Sequence, residues 1–178
     1  MNFAAAFTKL VDPQHEGAYS NVPGDRGGET YVGISRVENP AWNGWALVDK
    51  HRCDPTFPKS LGADPALSAL AESFYDATYW TPAGCDAVPD VLKFDLFDMA
   101  VNQGVSAAVK ALQHAVGVTE DGALGPMTIQ AAQAALPVRL LFRFDAARLV
   151  HYAENTDAQL LQFGRGWLRR VATNMNGY

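Results

Sequence analysis

The sequence predicts a mainly α protein with one small β element near its N-terminus. Three observations carry this. Apolar residues recur at helical spacing through most of the chain. Asn-Pro, Asp-Pro and Gly signals cut that pattern into segments of helix length. One Gly-rich stretch, residues 15–35, interrupts it and runs into β-branched and aromatic residues.

The elements follow in order. Phe3, Phe7, Leu10 and Val11 share a helical face, so a first helix covers residues 2–12, ended or kinked by Pro13. Thr30 to Ile34, "TYVGI", reads as a short strand. Asn39-Pro40 has the form of a cap followed by a first helical proline, opening a helix with Trp42, Trp45 and Val48. Asp64-Pro65 repeats the signal before "ALSALAESFYDATYW". Asp90 is placed to cap "VLKFDLFDMAVNQ", which Gly104 ends. Ser106 starts "AAVKALQHAV", and Gly117 ends it. Asp121-Gly122 is a turn, Pro126 opens a helix to about Ala135, and Pro137 opens a long one. A last helix holds "LLQFGRGWLRRV". No repeat or low-complexity linker separates these pieces, so they are expected to pack as one body.

With 178 residues, 48% of them apolar, the chain can build a core and is far from a disordered composition. Its net charge of −5 gives no reason to expect nucleic acid as a partner. The charge is uneven. Residues 136–178 carry six Arg against Asp145, Glu154 and Asp157, whereas the rest carries eight basic residues against sixteen acidic ones. That Arg set (Arg139, Arg143, Arg148, Arg165, Arg169, Arg170) is either a solvated face or a surface for an anionic polymer. No apolar run approaches the ~20 residues of a membrane span. "MNFAAAFTKLVD" lacks the basic start and the apolar length of a signal peptide. The expectation is a protein made in the cytoplasm that reaches any target beyond the membrane by a separate exit route.

Cys53 and Cys85 are too few for a disulfide scaffold and fit no zinc spacing. Two thiols and one bridge both stay open. Four scattered His form no metal motif, and no phosphate loop, nucleophilic triad or haem motif is present, so neither cofactor nor metal is expected.

The chemistry concentrates in "HEGAYSNVPGDRGGETYVGIS". Glu16 follows the first helix, Asp25 comes nine residues later, and Thr30 five after that. Glycoside hydrolysis needs one carboxylic acid to protonate the leaving oxygen. It needs a second polar group to hold water or to stabilise the oxocarbenium-like centre. Glycines around such a pair let backbone approach a bulky sugar. By spacing alone, Asp25 also reads as a turn residue and Glu16 as a solvated helix-end acid. His15 reads as a helix-end polar group, and Glu29 and Glu38 as solvated.

The residue string is more specific than the spacing. Glu16, Gly17, Tyr19, Asp25, Gly27, Gly28, Thr30, Gly33 and Ile34 resemble the N-terminal signature of the lysozyme-like glycoside hydrolase family 108, with Ala18 in place of a second Gly. "ESFYDATYW" resembles the family's helix ending in Tyr-Trp, at Tyr75, Tyr79 and Trp80. Cys85, Asp86, Pro89, Phe97, Asp98, Asn102 and Gly104 match its Cys-Asp-x-x-Pro and Phe-Asp-x-x-x-Asn-x-Gly segments. "ALQHAVGVTEDGALGPMT" resembles peptidoglycan-binding modules, and "FGRGWLRRV" the family's closing Gly-Trp-x-x-Arg helix.

The resemblance implies a lysozyme-like helical fold with a small β-hairpin near the active site. A catalytic region over 1–90 is followed by a peptidoglycan-binding-like helical region over 91–178. It also implies an N-acetylmuramidase, hydrolysing the β-1,4 bond between N-acetylmuramic acid and N-acetylglucosamine in the glycan strands of peptidoglycan. Glu16 takes the place of the general acid, with Asp25 and Thr30 as general base and water-holding partner, which implies inversion. Tyr19, Tyr75 and Tyr79 become candidate sugar contacts. Asp98 and Asn102, four apart on one helix face, either bond nearby groups or line the cleft. Family members serve as phage or prophage endolysins or as secretion activators acting on the periplasmic wall, and a holin is the natural partner of a lysin without a signal. A lytic transglycosylase and a non-catalytic wall-binding helper are the alternatives.

Overall fold

The computed structural model describes residues 1–12, 18–22, 27–154 and 156–175. It is mainly α, with one small antiparallel sheet. Helix α1 is Phe3–Leu10. Strands β1 (Tyr19–Ser20), β2 (Thr30–Tyr31) and β3 (Ile34–Ser35) follow. Then come α2 (Gly44–His51), α3 (Pro65–Tyr75), α4 (Thr81–Ala83), α5 (Asp90–Gln103), α6 (Val105–Val116), α7 (Pro126–Ala134), α8 (Pro137–Ala153) and α9 (Asp157–Met175). Short 3₁₀ turns at Lys59–Ala63 and Cys85–Ala87 and a π turn at Asp76–Trp80 join some of them.

Most helix signals act as expected. The Asp64 side chain accepts hydrogen bonds from the Ala66 and Leu67 amides, with Pro65 at the first helical position. Gly117 ends α6 at φ 76°, its amide donating to Gln113 and His114 carbonyls. Asp90 does not cap α5: it is the first helical residue, and its carboxylate pairs with Lys93 and the Met1 amine. Two further expectations fail. "TYVGI" is not one strand. Val32 (φ 41°) and Gly33 (φ 83°) both take left-handed backbone, which makes a two-residue hairpin turn between β2 and β3. Asn39-Pro40 opens no helix either. The Asn39 carbonyl accepts from the Trp42 amide and the Trp45 indole, closing a turn, and α2 begins at Gly44. A Cβ at Gly44 would collide with the Trp42 ring, so the close approach of that indole selects glycine here.

The chain divides by packing into two compact units, Phe7–Asp76 and Met1–Ala6 with Ala77–Tyr178. The core of the first unit gathers Phe7, Leu10, Tyr31, Ile34, Trp45, Val48, Leu67 and Tyr75. In the second, Phe3, Trp80 and Phe97 meet edge to face, with centroids 5.4–6.0 Å apart, beside Leu92, Phe94, Leu112, Leu140 and Phe144. Cys53 is exposed, Cys85 is buried, and the two are not bridged.

The second unit also buries Asp145, 2% exposed, on α8. Neither of its carboxylate oxygens has a hydrogen-bond partner among the described residues. Burial first, and the charge of Asp95 second, push its carboxyl up to about 7. The folded chain therefore holds this proton more tightly than the unfolded chain, where Asp titrates near ~3.9. The stability this contributes is complete below that pH and is lost as pH rises through about 7. Its ceiling is a few kcal/mol, at about 1.4 kcal/mol per pKa unit. Asp145→Asn is expected to flatten this dependence. Melting temperatures at pH 5 and pH 8 should converge in the variant, and an unchanged difference would refute the assignment.

Candidate active site

The site is built on the small sheet of the first unit. β1 pairs with β2 in the register Tyr19↔Tyr31 and Ser20↔Thr30, and β2 pairs with β3 as Thr30↔Ser35. Thr30 is thus the central-strand residue facing Ser20 and Ser35. Gly28, at φ 60°, turns the chain into β2, and a Cβ there would stand 3.0 Å from Val37 Cγ2. The Ser35 hydroxyl donates to the Gly27 carbonyl at 2.7 Å and accepts from the Glu38 amide, tying this turn down. Glu16 and Asp25, the proposed acid and base, lie outside the described residues, as does His15. In chain order Glu16 precedes β1 by three residues and Asp25 falls between β1 and β2.

A charged cluster braces the sheet. Glu29 Oε1 accepts from the Tyr19 hydroxyl at 2.9 Å and from Arg52, and Oε2 accepts from Arg36 Nη1 at 2.9 Å. Arg36 reaches Asp49 through both terminal nitrogens, at 2.8 and 2.6 Å, and Arg52 Nε reaches Asp49 at 3.1 Å. The hydrogen bonds from Arg36 hold the Asp49 carboxyl well below the usual range, with Arg52 adding to the effect. Burial, then the bond to Glu29, push the Tyr19 phenol up. The Tyr19 ring packs edge-on against Phe57 at 4.9 Å, and Arg52 lies over that Phe57 ring. Glu29 is therefore not the solvated acid its sequence suggests. Its side chain is 9% exposed and fixes Tyr19, which pairs with Tyr31 in β2. No spacing rule could have found it, because its partners stand 7, 10 and 23 residues away.

Tyr75 belongs to the same unit. It is 2% exposed, and its hydroxyl donates to the Val32 carbonyl at 2.7 Å. That bond, with the Val32 amide donating to Ala18 at 2.9 Å, holds a β-branched residue in left-handed backbone. Tyr75→Phe is expected to lower stability by about 0.5–1.5 kcal/mol, read by urea unfolding. No change would mean the bond does not hold the turn.

Tyr79, Asp98 and Asn102 belong to the other unit. Tyr79 is half-buried. Asp98 is fully buried on α5. Its Oδ2 accepts from Arg148 (2.6 Å) and Asn174 (3.0 Å), and its Oδ1 from Arg170 (2.7 Å). Arg148 Nε donates to the Tyr152 hydroxyl, which donates to Asn102 Oδ1 at 3.1 Å. Through Asp98 and Asn102 this network joins α5 to α8 and α9. Burial alone would raise the Asp98 carboxyl, but the charges of Arg148 and Arg170 prevail and it lies low. Arg148 and Arg170 thereby leave the basic surface set, while Arg139, Arg143, Arg165 and Arg169 stay exposed. A third cluster surrounds Gln113. Its amide donates to Asp121 (2.6 Å) and the Ala123 carbonyl (3.0 Å) and accepts from the Gly122 amide (2.9 Å). The Gln…Asp-Gly pattern of the sequence is one folded turn.

Residues 13–104 match the family model described as Glycosyl hydrolase 108. The chain belongs to this glycosyl hydrolase family. Residues 107–172 of the hydrolase match a model described as a predicted peptidoglycan domain. Its fold is similar to a solved structure of Brucella abortus SagA, at 29% identity and a TM-score of 0.72, covering 97% of this chain and 90% of that one. No curated protein matches it. Together the two models make the chain a peptidoglycan hydrolase with a mainly α, lysozyme-like fold. No helix among its described residues is long and apolar enough to cross a membrane.

Proposed function

We propose that this hydrolase is an N-acetylmuramidase, cleaving the β-1,4 bond between N-acetylmuramic acid and N-acetylglucosamine. The observation that carries the reading is the β1–β2 pairing. It sets Thr30 beside the strand that Glu16 leads into, with Asp25 in the intervening connection. Glu16 acts as general acid, protonating the leaving glycosidic oxygen. That role requires a carboxyl that stays protonated near neutral pH. Asp25 acts as general base on a water that Thr30 helps to hold, so water enters opposite the leaving group and the anomeric centre inverts. Tyr19, fixed by Glu29 and Phe57, offers its ring to the sugar.

The test is product analysis on purified peptidoglycan. Hydrolysed N-acetylmuramic acid reducing ends, first formed as the inverted anomer, are expected from wild type. Anhydro products would make the protein a transglycosylase, and binding with no release would make it a helper. Asp25→Asn is expected to lower turnover by about 10²–10⁴-fold, and intact turnover would remove the base. In the cell we place its action on the periplasmic wall. It works there as a phage or prophage endolysin released through a holin, or as a secretion activator. Lysis on co-expression with a holin selects the first role.

A further inference from the structure

The second unit carries a cavity of about 580 Å³ that the hydrolytic reading does not use. It lies over α6 and α8, beside the turn that follows α6, and its volume falls within the ~300–1,000 Å³ of ligand sites. Its apolar surface comes from Ala107, Ala111, Ala147 and Val150. Its charges come from Lys110 on one side of the balance and Glu120 and Glu154 on the other, with His114 held to Glu120 at 2.8 Å. Lys110 and Glu154 are exposed and have no ion-pair partner among the described residues. Gly122 matters here. A Cβ at that position would stand 3.2 Å from Lys110 Cε and closer still to Ser106 Oγ, so the bare glycine leaves room for the Lys110 stem. The Gln113 amide holds that glycine in place.

We propose that this groove binds the peptide stem of peptidoglycan rather than its glycan. Sugar sites are commonly floored by flat aromatic rings, and no Phe, Tyr or Trp lines this one. A stem peptide has what the groove complements: alanine methyls for the small apolar floor, free carboxylates for Lys110, and the ammonium of its diamino acid for Glu154. Apart from Gln103 and Ser106, the groove lining lies within the region matching the peptidoglycan-domain model. The proposal rests on peptidoglycan being the substrate, and it gives the enzyme a second hold on the polymer, distinct from the Glu16 site.

The experiment is calorimetric titration of the full-length protein with the soluble pentapeptide L-Ala-γ-D-Glu-meso-diaminopimelyl-D-Ala-D-Ala. Wild type is expected to bind. Lys110→Glu should weaken binding by about tenfold or more, the worth of one charge-assisted hydrogen bond, while Lys110→Arg keeps it. Circular dichroism melts confirm that both variants are folded. Absence of binding by wild type, equal binding by Lys110→Glu, or displacement of the pentapeptide by peptide-free glycan chains would each overturn the proposal. Muropeptide release measured in parallel separates the two readings. Release without peptide binding sinks the groove alone, and peptide binding without release sinks the hydrolytic reading alone.

Discussion

Glu16→Gln is expected to lower muropeptide release from purified peptidoglycan by about 10²–10⁴-fold, the range for loss of a general acid. Glutamine keeps the size and the hydrogen-bonding amide of the position but has no proton to give to the leaving oxygen. The loss should fall on kcat, because the proton is delivered only as the glycosidic bond breaks. Binding of the inactive variant to sedimented peptidoglycan should persist. Glu29 is the internal comparison. It stands next to Thr30, yet Arg36, Arg52 and Tyr19 occupy both its oxygens. Glu29→Gln should loosen Tyr19 and raise KM more than it lowers kcat. Equal release by Glu16→Gln and wild type would take Glu16 out of the mechanism. A kcat loss confined to Glu29→Gln would move the acid there.

The largest effect on stability is expected from Asp98→Ala, at about 3–5 kcal/mol, the typical loss when one partner of a buried ion pair is removed. Asp98 and Arg148 are both fully buried, and Arg170 and Asn174 close on the same carboxylate. Without Asp98 the Arg148 guanidinium stays in the interior, where among the described residues the neutral Tyr152 hydroxyl accepts its hydrogen bond. Urea unfolding followed by far-ultraviolet circular dichroism reads the loss. Replacing both partners, Asp98→Leu with Arg148→Met, should recover much of it, because no uncompensated charge is left behind. If the double variant is no more stable than Asp98→Ala, packing rather than charge governs the site. If joining helices is the whole role of Asp98, the surviving folded fraction of Asp98→Ala should keep its turnover number.

The same residues show where sequence reasoning was sufficient. Helix ends marked by Asp64-Pro65, Gly104, Gly117, Pro126 and Pro137 stand within a residue or two of where they were expected. Those signals are local: a side-chain cap, a fixed proline φ, a glycine in left-handed backbone. Where a long-range contact overrides local preference, the expectation failed. Val32 looks like a strand residue, yet Tyr75 from 43 positions away holds it in a turn. Asn39 looks like a cap, yet the Trp45 indole takes its carbonyl for a turn.

The sequence by itself determined the mainly α class, the family, and the candidate acid, base and threonine, because each is written in local periodicity or in a contiguous string. Only the tertiary structure decided what the remaining motif residues do. Asp98 and the closing Gly-Trp-x-x-Arg helix are distant parts of the sequence, and folding makes them one ion cluster 72 positions apart in the chain. Glu29 became a brace for Tyr19 in the same way. A carboxylate is equally suited to catalysis, to solvation and to holding arginines. Which of these it performs depends on the partners that packing brings within about 3 Å.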